Sequence, residues 1–480
     1  MASSPIGPTS PSPRDSSAFR LSRRASLIAL AAGCIGGCRS DSTEQADTKP
    51  RSSSVPLRIG VFDPMARAAD PSANETSWAA TLGAAISRAW SLASEQPVEI
   101  TPLPLPDAAL QSEYDRAAVQ DAFAAQALRA DVLVLPQTLL GTCVKTQTII
   151  PLPPETRDSF EEDYGRPYAS VRNGLGNYGG DTLAVAAGAK AFAFLASDPE
   201  AVCQDWASYD QWVAGNEGAA AEPLTPGWAA TSFLHRCATS LERNWLLDRR
   251  NAQPLLNLPE YESVLEQMKQ TCARYQSPAM TPSEIWSAIR LGKLRGGIGY
   301  EVPSVEASVV AEADEVFDVT VSDSPATTPA SRVWFPTQTL LVCLSSGCRQ
   351  TDASKQLIGW LSGGEQVESL WRTTASLSPT RKPTAISDTQ AGSQSKSTYL
   401  RWLETRLDAV QVQTPLSLPA APLYCDALDA RIRQCLEGAK SAKESLQAAC
   451  EDWEQITESV GRESQIVAWK RSQGFGGGLN

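Results

Sequence analysis

The chain has 480 residues, room for two or three domains at roughly 100–200 residues each. Its 42 lysines and arginines face 54 aspartates and glutamates, and the net charge of −12 argues against a surface made for nucleic acid or anionic lipid. An apolar share of 42% allows a packed core, the single histidine, His235, excludes zinc sites that need two, and thirteen tryptophans demand core positions or stacking surfaces.

Residues Met1 to Phe19 are rich in serine and proline and show no apolar periodicity. Arg20, Arg23 and Arg24 then precede Ala25-Ser-Leu-Ile-Ala-Leu-Ala-Ala-Gly-Cys34-Ile-Gly-Gly-Cys38, a basic region and a short apolar run as in a secretory signal. The run is well short of the ~20 residues a membrane-spanning helix needs. Ser22-Arg-Arg-Ala-Ser-Leu27 resembles a twin-arginine export motif with Ser26 in the aromatic position. Ile35-Gly-Gly-Cys38 resembles a bacterial lipobox, whose cysteine carries the lipid; Ala31-Ala-Gly-Cys34 is a competing frame with a weaker residue three places before its cysteine. The expectation is a signal peptide over 1–38, a flexible polar tether over 39–54, and a chain exported to the periplasmic face, lipid-anchored at Cys38. Removing residues 1–37 takes away four arginines and one aspartate, leaving 38 basic against 53 acidic residues, a charge of −15. Lipid rather than charge would hold such a protein at a bilayer.

Val55-Pro-Leu-Arg-Ile-Gly-Val-Phe62 reads as a buried strand closed by the Asp63-Pro64 turn. Thr76 to Leu92 places Trp78, Leu82, Ala85, Ile86 and Ala89 at helical spacing, Val98 to Leu105 is strand-like, and Glu113 to Arg129 is an alanine-rich amphipathic helix. Asp131-Val-Leu-Val-Leu-Pro136 is the continuous apolar run of a parallel strand covered on both faces. This alternation predicts a doubly wound α/β lobe whose ligands sit beyond the carboxyl ends of its strands. Further on, Thr182–Ala186 and Lys190–Leu195 read as paired strands, and Trp228 to Trp245 and Glu260 to Tyr275 as helices. Thr281-Pro-Ser-Glu284 is a helix start and Gly292–Tyr300 a turn and strand. Leu428, Ile432, Cys435, Ala439, Ala442, Leu446, Ala449, Trp453 and Ile456 predict one helix of about thirty residues packed across its own lobe.

Beyond Cys34 and Cys38 lie nine cysteines, an odd number that leaves at least one unpaired, and none has CxxC spacing. If the last helix is continuous, Cys435 and Cys450 stand about 22 Å apart, too far for a disulfide.

Three segments occur in the order found in bacterial extracellular solute-binding proteins: Asp131-Val-Leu-Val-Leu-Pro, Ser283-Glu-Ile-Trp-Ser-Ala-Ile-Arg-Leu-Gly-Lys-Leu, and Ala353-Ser-Lys-Gln-Leu-Ile-Gly-Trp-Leu-Ser-Gly-Gly-Glu-Gln-Val. The last is followed by Leu377-Ser-Pro-Thr-Arg381 and the final helix. Over most of Val55 to Thr457 the chain resembles the sugar-type, family 1 lipoproteins that serve ABC transporters. The resemblance implies a two-lobed α/β fold of the periplasmic-binding-protein kind, each lobe a doubly wound sheet flanked by helices, with the ligand cleft between them. Lobe 1 would be 55–150 with a returning segment near 300–345, and lobe 2 would be 151–299 and 346–480. It further implies a monomer that binds a carbohydrate, meets permease subunits, and uses no cofactor or metal. Sugars present C–H faces to aromatic rings and hydroxyls to polar side chains. Residues at strand ends or the inter-lobe crossover are therefore the candidates: Phe62, Asp63, Trp78, Gln137, Trp228, Tyr300, Glu301 and Trp334. Trp286, Trp360, Trp371 and Trp453 sit on amphipathic helices and belong to cores.

Enzymatic signatures are absent: there is no GxSxG, P-loop or dinucleotide fingerprint, and Gly296-Gly-Ile-Gly is short and follows Arg295. His235 is expected on a helix surface or as a satisfied buried side chain, and Glu161-Glu-Asp163 and Glu312-Ala-Asp-Glu315 as solvated faces. The leading reading is carbohydrate capture for an ABC importer. A sensor or scaffold on the same fold, and a surface glycoside hydrolase whose two acids need no motif, are the alternatives.

Overall fold

Short β-branched runs alternating with amphipathic segments fold into two separate sheets in the computed structural model, which describes residues 55–62, 78–103, 113–242, 246–302, 316–327, 332–374, 377–383 and 397–474. The signal, lipobox and tether segments, with Cys38, lie outside the described residues. In chain order the first strands are β1 (Leu57–Phe62), β2 (Val98–Leu103), β3 (Val132–Pro136), β4 (Ile149–Ile150), the small hairpin β5 (Asn177–Tyr178) and β6 (Asp181–Thr182), and β7 (Ala184–Gly188). The rest are β8 (Ala193–Ala196), β9 (Ala220–Ala221), β10 (Gly296–Gly299), β11 (Thr320–Asp323), β12 (Arg332–Trp334), β13 (Leu340–Ser345) and β14 (Gln411–Gln413).

The first sheet has the order β2-β1-β3-β13-β4, with β7 also on β13. β1 is parallel to β2 and β3, with Ile59 opposite Val132, whereas β13 runs antiparallel to β3, β4 and β7. β3 and β13 are buried along their whole length, which is why their sequences read as unbroken apolar runs. On one face Leu82, Ile86 and Trp90 of the helix Trp78–Ser94 meet Leu357, Ile358 and Trp360 of the helix Thr351–Ser362 over Ile59, Val134 and Val342. Trp90 and Trp360 pack edge to face, 5.4 Å between centroids.

The second sheet has the order β11-β8-β10-β9. β8 enters from the first sheet while β10 and β11 run back toward it, so both are antiparallel to β8, and only β9 pairs parallel with β10. β9, β10 and β11 thus share one direction and only the crossing strand β8 is reversed, the same pattern as in the first sheet, where only β13 is reversed. The glycines of β10 serve strand packing: a Cβ on Gly296 would meet the Leu195 carbonyl oxygen at 2.4 Å, and one on Gly297 that of Ala221 at 2.2 Å.

Three expectations need correction. The segments around Thr182 and Lys190 do not pair: β7 hydrogen-bonds to β13 in the first sheet and β8 to the second sheet, separated by the linker 189–192. β7 and the helices Thr351–Ser362 and Gly364–Thr374 pack with the first sheet, because their apolar faces complete its core; parts of 151–299 and 346–480 thus lie outside the second lobe. The last long helix is two, Ala421–Leu436 and Ala442–Val460, broken at Gly438 with φ of 78° and restarted by Ser441. The geometric exclusion of a Cys435–Cys450 pair loses its premise; both are free thiols here, as are the other seven described cysteines.

Candidate functional site

The linker 189–192 carries the chain from one sheet to the other, and 324–339 carries it back. The first crossing is laced to its surroundings. Ser378 donates its backbone N–H to Ala187 O (3.1 Å) and its hydroxyl to Ala189 O (3.0 Å), and the Tyr399 hydroxyl donates to Ala191 O (2.9 Å) while accepting from Ala191 N (3.3 Å). Ser324 Oγ of the second crossing donates to Phe192 O (2.7 Å).

Antiparallel pairing places Gly299 opposite Ala193, so the residues that follow β10 emerge beside the linker. Tyr300 accordingly stacks on Phe192, with centroids 6.0 Å apart and planes at 20°. Phe192 also meets Trp228 (6.2 Å), Trp334 (6.0 Å) and, edge-on, His235 (5.2 Å). Trp228 is the N-cap of the helix Ala229–Ser240, half-buried and 6.1 Å from Tyr300; Trp334 ends β12. Thr231 and Thr337 share a hydroxyl–hydroxyl hydrogen bond (3.2 Å) that ties this helix to the second crossing. Half-buried Lys190 sets its Nζ 4.6 Å from the Tyr300 ring and 5.1 Å from that of Trp371, which stacks on Tyr399. Glu301, buried beside Tyr300, accepts a hydrogen bond from Ser397 Oγ.

Burial governs the ionisation here. Removal from water draws the Lys190 ammonium down to about 7 and pushes the Tyr300 phenol up. His235 is held down to about 3, first by burial and then by the charge of Arg236. It is neither on the surface nor satisfied, contrary to both expectations: its two ring nitrogens have no partner among the described residues. Phe192, Tyr300 and Trp334 are buried and packed on one another, and of the four rings only Trp228 is half-buried.

Of the eight sequence candidates, the structure brings Trp228, Tyr300 and Trp334 together through Phe192, with Glu301 adjoining. Phe62 is a core residue of the first lobe, packed in the same apolar body as Leu103 and Phe123. Gln137 is structural: its Nε2 donates to Ser417 Oγ (2.8 Å) and its Oε1 accepts from Gly176 N (3.2 Å). Asp63 and the Trp78 side chain lie outside the described residues. Sequence reasoning missed Phe192, Lys190 and Tyr399, and placed Trp371 in a core only. The alternation of Phe192 with Phe194 was visible but was absorbed into a strand.

Other features fit a site less well. A groove of about 640 Å³ between the helix Pro259–Cys272 and the start of Ala442–Val460 is lined by no aromatic side chain. No cluster of three or more metal-binding side chains occurs among the described residues, and no described helix is long and apolar enough to cross a membrane.

No protein-family model matches the chain, and no curated protein matches it in sequence. Solved structures do. The sugar-binding protein MalE from Xanthomonas citri superposes with a TM-score of 0.61 at 14% identity, covering 86% of this chain and 99% of that one. An ABC-transporter solute-binding protein from Agrobacterium vitis S4 with bound D-mannitol gives 0.60 at 13%, covering 84% and 99%. The GacH receptor of Streptomyces glaucescens, seen unliganded and with acarbose, gives 0.57 at 13%, covering 84% and 99%.

Proposed function

We propose that this chain, which has the two-lobed α/β fold of periplasmic solute-binding proteins, captures a carbohydrate outside the cytoplasm and presents it to the permease of an ABC importer. The observation that carries the reading is the meeting of Trp228, Tyr300 and Trp334 around Phe192 at the crossing between the two sheets. Aromatic faces cover the C–H surfaces of a sugar, and rings drawn from both crossings let one ligand bias the angle between the lobes. Lipid on Cys38, after export through the N-terminal signal, would hold the protein at the membrane against its acidic charge. Binding rather than turnover is the activity, and no cofactor takes part.

The test is thermal unfolding of the purified protein with acarbose, D-mannitol and linear malto-oligosaccharides. A ligand at 100 times its dissociation constant adds about 2.7 kcal/mol. Stabilisation with the sugar recovered intact is expected. Cleavage of the sugar, or no response to any of them, would refute the reading. Cys38→Ala should release the protein from the membrane fraction.

A further inference from the structure

His235 is the chain's single histidine, 4% exposed, with neither ring nitrogen paired among the described residues. Phe192 meets the ring at 5.2 Å, Trp334 at 5.7 Å and Trp206 at 6.0 Å. A phenylalanine would fill such a cage without polar cost, whereas an unpaired buried polar group costs about 1–3 kcal/mol. The imidazole is neutral near pH 7, so one nitrogen donates and the other accepts. The two nitrogens point to opposite sides of the ring, so they suit two hydroxyls, one accepting and one donating; a carboxylate or phosphate, which only accepts, would leave one nitrogen unmatched.

The position is equally specific. His235 follows Trp228 by seven residues, two turns on one face of the same helix and about 10 Å further along its axis at 1.5 Å per residue. Half-buried Trp228 stands at the outer end of this line. The ring between them is Phe192, which belongs to the linker joining the two sheets, so a hinge rotation moves the group that covers His235.

We propose that His235 is the polar anchor at the inner end of the aromatic cage, donating from one ring nitrogen to one hydroxyl of the bound carbohydrate and accepting at the other from a second hydroxyl, once hinge opening draws Phe192 aside. The proposal rests on the carbohydrate reading above and sharpens it: the ligand is uncharged where it meets His235, and it is long enough to reach from Trp228 inward.

A single histidine makes the test direct. Protein labelled with nitrogen-15 histidine carries one imidazole, whose resonances are followed as maltotetraose or D-mannitol is added. The sugar that raises the melting temperature should shift at least one imidazole nitrogen. H235F should bind it at least about tenfold more weakly, a change of ~1.4 kcal/mol, and H235Q should recover part of the loss. A sugar that stabilises the wild type and H235F alike, with imidazole resonances unmoved, overturns the anchor and leaves carbohydrate binding standing. No response to maltotetraose, D-mannitol or acarbose overturns the anchor together with the reading it rests on. Should H235F fail to fold, unmoved resonances at saturation decide against the proposal by themselves.

Discussion

Two neighbouring side chains inside the second lobe are handled in opposite ways. Arg236 is paired through two of its three nitrogens: Nε donates to Glu222 Oε2 (3.1 Å) and Nη2 donates to Oε1, while Nη1 has no partner among the described residues and the guanidinium lies 4.1 Å from the Trp206 ring. Tyr275 adds a hydroxyl donor to Glu222 Oε1 at 2.6 Å. Removing one partner of such a buried pair leaves the other charge stranded, so Glu222→Gln should lower the unfolding free energy by about 3 kcal/mol in chemical denaturation. His235 instead stays neutral. Its folded pKa, lowered to about 3, lies below the 6.5 of an unperturbed histidine, so the unfolded chain binds the proton first. Stability contributed by the neutral ring is therefore complete above about pH 6.5 and is lost as pH falls toward 3. His235→Phe should flatten that part of the stability curve; an unchanged acid limb would show that carboxylates alone set it. At this scale the sequence pointed to residues at the ends of strands and at a helix start, and Tyr300, Trp334 and Trp228 do meet at one ring, Phe192. It could not reveal that Gln137 is satisfied by residues 39 and 280 positions away, because no local pattern records such partners.

At the scale of elements, periodicity was a good guide to type and a poor one to continuity. The apolar spacing from Leu428 to Ile456 survives the break at Gly438 because both helices face the same core, including Leu428, Ile432, Leu446 and Trp453. The break had its own signal in Ser441-Ala-Lys-Glu444, a serine and a glutamate three apart. Ser441 Oγ accepts from Glu444 N (3.2 Å), and Glu444 Oε2 accepts from Ser441 N (3.0 Å). Ser441→Ala should cost about 1 kcal/mol, read as a lower melting temperature, with sugar affinity unchanged. A neutral effect would mean that packing against the helix Ala421–Leu436 alone sets the restart. The pairing of β7 and β8 was illegible for a different reason. Two adjacent apolar runs read as a hairpin, and only β13, more than 150 residues later, supplies the edge that β7 takes instead.

For the whole molecule the consequence lies in the linker 189–192, which joins the sheets and carries Phe192 and Lys190. Its backbone is held from the helix Thr398–Leu407: Tyr399 both donates to Ala191 O and accepts from Ala191 N. Tyr399→Phe keeps the ring that stacks on Trp371 at 6.1 Å but strips both bonds from a buried peptide. The linker then gains alternative conformations, and if closure requires the laced form, the binding-competent fraction falls. Apparent affinity drops in the same proportion, since a ligand that binds one state of two is penalised by that state's population. Tyr399 lies beyond the rings proposed to touch the sugar, so the loss should appear as weaker binding with the same ligand preference order. Small-angle scattering should show a larger radius of gyration without sugar and the wild-type value at saturation. Equal scattering in both proteins, or a changed preference order, would show that Tyr399 shapes the site itself rather than the hinge that opens it.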